Sequence, residues 1–120
     1  MSNHSAYRTF VDRLSKTKDS AREKSTKKRK SLGLRTAREN LDDLVDPGSF
    51  LEFGAFAVAA QRNRRDYEEL QLETSADGIL TGFCNINEDE VGEDNSHAAA
   101  IIYDYSVLAG SQGFFHHQKL

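Results

Sequence analysis

Apolar residues recur along this chain in two rhythms, one helical and one strand-like. Tyr7, Phe10, Val11 and Leu14 stand at i, i+3, i+4 and i+7, the apolar stripe of a short amphipathic helix. Residues 15–30 are almost wholly polar, a solvated helix or a disordered linker, and Gly33 is a break after them. Thr36 and Glu39 have the spacing of a capping box, in which each side chain answers the other residue's backbone N–H. Ala37, Leu41, Leu44 and Val45 lie on one face behind that cap. Pro47 lacks a donor and disfavours a helical Asp46, so the helix is predicted to stop near Val45.

Pro47-Gly48 makes a turn, and residues 50–53 begin a short extended piece that Phe56 continues. Residues 60–75 are charged and read as a loop or surface excursion. A strand is predicted over 78–86, with Ile79, Thr81 and Phe83 on one face and Leu80, Cys84 and Ile86 on the other. Residues 87–96 form an acidic turn. Residues 98–105 are nearly continuously apolar, as in a strand covered on both faces, and such cover usually comes from crossover helices between parallel strands. Gly110 and Gly113 then loosen the backbone before a helix that begins at Phe114. The fold class read from this pattern is α/β, with a mixed or partly parallel sheet of few strands that includes 78–86 and 97–105.

Charge divides the 120 residues in two. Residues 1–35 hold eleven Lys/Arg against three Asp/Glu, a net of +8, while residues 36–120 hold five against sixteen, a net of −11. The predicted organisation is a basic helical arm (1–35) joined to an acidic body (36–120), with the arm's charges solvated. A body of that size buries only roughly 60–65% of its unfolded surface, so a partner chain is expected. Cys84 is the sole cysteine, which excludes an intrachain disulfide and fits a reducing compartment. No run approaches the ~18 apolar residues of a membrane span. The first residues lack the apolar core of a secretory signal, and Asp12, Asp19 and Glu23 argue against a mitochondrial presequence. Cytoplasm is the expected compartment.

The chemistry-bearing motifs are few. The turn Gly110-Ser111-Gln112-Gly113, after a strand and before a helix, could present backbone N–H groups to an anion or a carbonyl, although the same residues also make an ordinary strand-to-helix turn. Lys27-Lys28-Arg29-Lys30 could meet nucleic acid or the phosphates of a cofactor. No stacking aromatic sits among these cations, which disfavours nucleic acid and leaves a solvated face or a docking arm as the plainer reading. Residues 87–98 resemble a calcium loop only superficially, because Val91 and Ala98 stand where ligands are required. His116 and His117 are adjacent and point about 100° apart on a helix, so no metal is expected. Cys84 reads as a buried small residue.

Four blocks, in order, carry a resemblance: Thr36-Ala37-Arg38-Glu39, residues 44–52 around Asp46-Pro47-Gly48-Ser49-Phe50, residues 77–82 beginning Asp77-Gly78, and residues 104–113. Together they resemble the N-terminal part of the carboxyltransferase component of biotin-dependent acyl-CoA carboxylases (acetyl-, propionyl- and methylcrotonyl-CoA carboxylases). The resemblance covers about residues 33–120, and the form of 103–113 is similar to a subgroup in which carboxylase and carboxyltransferase share one long chain. It implies an incomplete crotonase-like fold of ββα units. It also implies transfer of a carboxyl group from carboxybiotin, carried by a separate carrier domain or protein, to the α-carbon of an acyl-CoA. In the family, one donor pair stabilises the enolate oxygen and another the biotin ureido oxygen. Both are expected beyond Leu120, so no catalytic residue is assigned. Gly110, Ser111 and Gly113 are carried over as the border of the acyl-CoA pocket, with Ala109 standing where many relatives have glycine.

The implied partners are the remaining carboxyltransferase half, the biotin carboxylase and biotin carrier components, and further copies of the chain in a homo-oligomer, with no membrane. Two functions compete at this stage. One is a partial carboxyltransferase module, and the other is a non-catalytic binding or assembly piece derived from that family.

Overall fold

In a computed structural model that describes residues 2–120, the elements follow the order α1 (Ser2–Ser15), α2 (Glu23–Ser31), α3 (Ala37–Leu44), β1 (Leu51–Phe53), α4 (Tyr67–Glu73), β2 (Ile79–Asn85), α5 (Glu88–Val91), α6 (Glu93–Ser96), β3 (His97–Tyr103) and α7 (Phe114–Lys119). The strands form one sheet in the order β1-β2-β3, antiparallel throughout. Leu51 faces Phe83, and β2 runs against β3 from Ile79–Tyr103 to Asn85–His97.

This corrects the expected parallel component. β2 and β3 are joined by the single turns α5 and α6 rather than by a crossover helix, and that short connection enforces antiparallel pairing. The connection is built by Asp46. Its carboxylate accepts the Asn87 and Glu88 amides at 2.8 and 3.0 Å and caps α5, while its own N–H donates to the Asn85 carbonyl at 2.9 Å.

The capped helix forms as its sequence dictates. Thr36 Oγ1 accepts the Glu39 amide at 3.0 Å, and α3 ends at Leu44, before Pro47. Ala37, Leu41 and Val45 pack on the Leu80, Cys84 and Ala100 face of the sheet and, with Ala76, make the main core. Phe50 closes it, and its ring stands where a side chain at position 82 would lie, 2.6 Å from a Cβ there, so only glycine fits between β1 and β2.

The opposite sheet face carries Leu51, Phe53, Phe83, Ile101 and Tyr103, all exposed. Among the described residues, only one end of this second face is covered, where Tyr103 meets the His116 ring edge-on at 4.8 Å and Ile79 and Thr81 are buried. Apolar character on both faces signals two packing surfaces, and in this structure α3 fills one of them.

The charged stretch 60–75 also departs from expectation, because it contains α4. Asp66 caps that helix by accepting the Glu68 and Glu69 amides, and Leu70 is wholly buried against Val58 and Ala59. Of the two readings of residues 15–30, solvated helix or linker, the structure has the helix, as a 3-10 turn (Asp19–Ala21) and α2.

Candidate functional site

The turn that follows β3 is held at two carboxylates. Asp104 is the first. Its amide donates to the Gly78 carbonyl at 2.8 Å, and its Oδ1 accepts both the amide and the hydroxyl of Ser106, at 3.0 and 2.6 Å. Its Oδ2 meets Arg22 Nη1 at 3.0 Å. Arg22 is buried within the polar segment of the arm, and its other nitrogens donate to the Leu72 carbonyl (2.7 Å) and to Ser106 Oγ (3.3 Å). The expectation that every charge of residues 1–35 is solvated fails at this residue, because three acceptors on the body converge on one guanidinium.

Beyond the buried Val107, the backbone takes three successive left-handed residues, Leu108 (φ 48°), Ala109 (54°) and Gly110 (77°). Only the last is a glycine, and left-handed alanine and leucine persist where the surroundings over-determine them.

Asp77 is the second anchor, itself left-handed (φ 48°) and buried. Its Oδ2 accepts the His116 amide at 2.9 Å, and a Cβ at Gly113 would stand 2.5 Å from both of its oxygens. Gly113 is thus a close-approach glycine. The Asp77 carbonyl lies 3.0 Å from His116 Nδ1, and because a carbonyl only accepts, that nitrogen carries the proton. His116 Nε2 and Asp77 Oδ1 are buried without hydrogen-bond partners among the described residues.

Lys119 completes the clamp, its ammonium donating to the Gly54, Ala76 and Ile79 carbonyls at 3.1, 2.7 and 2.5 Å. Burial lowers its pKa to about 8, against the opposing pull of Glu52 and Asp77.

Four backbone amides of residues 110–117 are engaged within the corner. The Gly110 and Ser111 amides donate to the Val107 and Leu108 carbonyls, the His117 amide to Gly113, and the His116 amide to Asp77. Ser111 is exposed and Gly113 half-buried. The neighbouring cleft, about 540 Å³, is lined by Leu108 and Ala109 but not by Gly110, Ser111 or Gly113.

The motif blocks brace one another. Arg38 of the first block forks onto Glu52 of the second at 2.9 and 3.2 Å, with both side chains nearly buried, and also donates to the Thr17 carbonyl of the arm at 2.8 Å. Thr36 Oγ1 reaches Asp19 at 2.6 Å. Asp77 of the third block seats Gly113 of the fourth. Arg22 was missed by the sequence reading because nothing in a polar run marks which of several cations is buried. Asp77 lay inside a quoted block, but its target 39 positions away did not show. Cys84 is buried as expected, and burial and then Asp46 hold its thiol above its ordinary pKa. Among the described residues no group of three or more His, Cys, Asp or Glu could hold a metal ion, and no helix is long and apolar enough to cross a membrane.

No family model matches the chain. It is similar to the beta4 subunit of a biotin-dependent long chain acyl-coenzyme A carboxylase from Mycobacterium tuberculosis, at 34% identity over 102 residues, covering 85% of this chain and 17% of that protein. It is also similar to the methylmalonyl-CoA carboxyltransferase 12S subunit of Propionibacterium freudenreichii, at 37% identity over 92 residues, covering 76% and 16%. Among solved structures, a single-chain, multi-domain long-chain acyl-CoA carboxylase superposes with a TM-score of 0.90 at 46% identity, over 95% of this chain and 11% of that one. Transcarboxylase 12S, solved with hydrolysed methylmalonyl-coenzyme A bound, superposes with a TM-score of 0.67 at 28% identity, over 95% and 20%. The chain spans less than a fifth of the length of the curated relatives it matches.

Proposed function

We propose, since this chain belongs to the carboxyltransferase component of biotin-dependent acyl-CoA carboxylases, that it supplies the portion of that module which frames the acyl-CoA pocket. The reaction is transfer of a carboxyl group from carboxybiotin to an acyl-CoA of the acetyl- or propionyl-CoA kind. The observation that carries this reading is the doubly anchored corner at residues 104–113, whose anchors Asp104 and Asp77 both belong to the motif blocks. A corner of left-handed residues locked at both ends is preorganised, and preorganised backbone is what positions a reacting thioester. Gly110, Ser111 and Gly113 form its outer lip and border the pocket, and none of them is assigned a catalytic role.

Biotin itself does not fit these residues. Its ureido oxygen needs converging free N–H donors, whereas the Gly110, Ser111, His117 and His116 amides already donate to Val107, Leu108, Gly113 and Asp77. The donors belong elsewhere in the module. The apolar sheet face of Leu51, Phe53, Phe83, Ile101 and Tyr103 is the surface against which the remaining carboxyltransferase packs. Biotin carboxylase, a biotin carrier and further copies of the carboxyltransferase complete the proposed assembly, in the cytoplasm. One transcarboxylase 12S relative is described as a hexamer, which supports the oligomeric part of this reading.

A chimera tests it. Residues 33–120 replace the matching segment of the long-chain acyl-CoA carboxylase, and carboxylation of acyl-CoA is measured with that enzyme's own biotin carboxylase. Retained transfer is expected. A chimera that assembles but transfers nothing would leave the chain as a non-catalytic assembly piece.

A further inference from the structure

We propose that Arg22 is a positioning residue for carboxyl transfer. From outside the four motif blocks it fixes the corner at residues 104–113, and through that corner the border of the acyl-CoA pocket. The inference rests on the reading of the chain as part of an acyl-CoA carboxyltransferase, and it gives the basic arm a share in the site.

Arg22 starts from a fixed point. It follows the 3-10 turn Asp19–Ala21, and its amide donates to the Asp19 carbonyl at 3.0 Å. Its carbonyl accepts the Thr26 amide and hydroxyl, both at 3.0 Å. Asp19 in turn accepts the hydroxyl of Thr36, the cap of α3, at 2.6 Å. A run of hydrogen bonds thus leads from the capped helix through Asp19 to Arg22, and the side chain enters the body with its base already held.

Its guanidinium joins two segments of the body. Nε donates to the Leu72 carbonyl at 2.7 Å, in the last turn of α4, where carbonyls have no partner within the helix. Nη1 meets Asp104 Oδ2 at 3.0 Å, and Nη2 reaches Ser106 Oγ at 3.3 Å. Three separate nitrogens of one planar fork make these contacts. The single nitrogen of a lysine keeps the charge but does not span all three acceptors.

The corner depends on this fork. Asp104 Oδ1 holds the Ser106 amide and hydroxyl, and the Val107 amide donates to the Asp104 carbonyl at 3.1 Å, just before the left-handed Leu108 and Ala109. Left-handed residues other than glycine persist only where their surroundings over-determine them. Without Arg22 a buried carboxylate is left without its cation. It recovers solvation by swinging outward, and that rotation takes Oδ1 from Ser106 and frees the left-handed segment. The loss is then felt at Gly110, Ser111 and Gly113, with none of which Arg22 forms a hydrogen bond.

Positioning and plain stabilisation leave different kinetic traces. A residue that only stabilises the fold, when weakened, lowers the fraction of folded enzyme, and the maximal rate falls at an unchanged KM. A displaced pocket border weakens binding of the acyl-CoA and raises its KM.

The test is a chimera in which residues 1–120 replace the matching segment of the long-chain acyl-CoA carboxylase, assayed with palmitoyl-CoA, a long-chain thioester. Arg22→Lys is expected to raise the KM for palmitoyl-CoA about tenfold while kcat stays within about twofold. Ser106→Ala removes one acceptor of the fork from a half-buried position, and a rise of about threefold is expected. The double variant should rise little beyond Arg22→Lys alone, because both changes act on one network. Leu41→Ala is the control. It empties part of the main core under α3, costs stability of a similar size, and should leave KM unchanged. Should Arg22→Lys fail to fold, Ser106→Ala carries the test by itself, and an unchanged KM there overturns the inference. An unchanged KM in Arg22→Lys, or an equal rise in Leu41→Ala, overturns it as well, while an active parent chimera leaves the carboxyltransferase reading standing. A parent chimera that assembles and transfers nothing overturns both.

Discussion

Replacing Arg22 by methionine is the sharpest probe of how the arm is held. The Arg22 and Asp104 side chains retain only 5% and 9% of their exposure, and they meet at 3.0 Å. Removing one partner of a buried ion pair strands the other and costs ~3–5 kcal/mol. The lower end applies here, because Asp104 Oδ1 keeps its two hydrogen bonds from Ser106 and only Oδ2 is stranded. A loss of about 3 kcal/mol, set against an unfolding entropy near 250 cal/mol/K for a chain of this length, lowers the melting temperature by about 12 °C. Urea unfolding followed by circular dichroism reads the free energy directly, for Arg22→Met, Asp104→Leu and the double variant. The double variant should lose clearly less than the sum of the singles, because it leaves no stranded charge. A loss under about 1 kcal/mol for Arg22→Met, the level of an exposed pair, would refute the reasoning. So would strict additivity.

Three further outcomes follow from the geometry. Gly113→Ala should destabilise by about 1–3 kcal/mol, because the new methyl would stand 2.5 Å from both Asp77 oxygens, and Asp77→Ala in the same chain should recover part of the loss; a neutral Gly113→Ala would show that the contact yields freely. Lys119 has a folded pKa of about 8 against an ordinary 10.5, so between those values the unfolded chain binds a proton that the folded chain does not. Stability should therefore rise with pH across that window relative to Lys119→Met, and a flat or falling difference in urea titrations would contradict the assigned burial. The 120-residue chain alone should bind an apolar-surface dye through the face of Phe83, Ile101 and Tyr103, and it should show no carboxyl transfer from biotin to propionyl-CoA. A dye-silent monomer at tens of micromolar, or turnover above background, would go against the reading of this face and of the chain as part of a larger module.

Local chemistry was legible in the sequence wherever the partners were neighbours. Thr36 and Glu39 announce their helix three residues apart, Pro47 its end, and the alternation from Ile79 gives β2 within a residue or two of its observed bounds. Helix α4 was hidden because its apolar content is nearly reduced to Leu70 and Leu72 among charges, and the residues that bury Leu70 lie upstream in an irregular stretch. Strand direction was misread because an apolar side chain looks the same in sequence whether it meets α3, as Ala100 does, or stands open, as Ile101 does. The braces between motif blocks were invisible for a related reason. Pairs such as Arg38–Glu52 and Asp77–Gly113 exist only once the chain has folded back, so the blocks could be recognised as a pattern before any reason for the pattern was available.

The contact between Arg22 and Asp104 spans 82 positions, and this sets an order of events as the chain is made. A polypeptide leaving the ribosome presents Arg22 early, while its acceptors at Leu72, Asp104 and Ser106 emerge late and become usable only after the β2–β3 hairpin has closed to bring Asp104 against Gly78. The helices of the arm can form locally in the meantime, but their docking waits on a closure of high sequence separation, the slowest kind of step. Synthesis therefore passes through a stage in which a cationic arm is untethered beside an acidic, partly built body, and its permanent seat is taken only when the corner that frames the proposed pocket is itself complete.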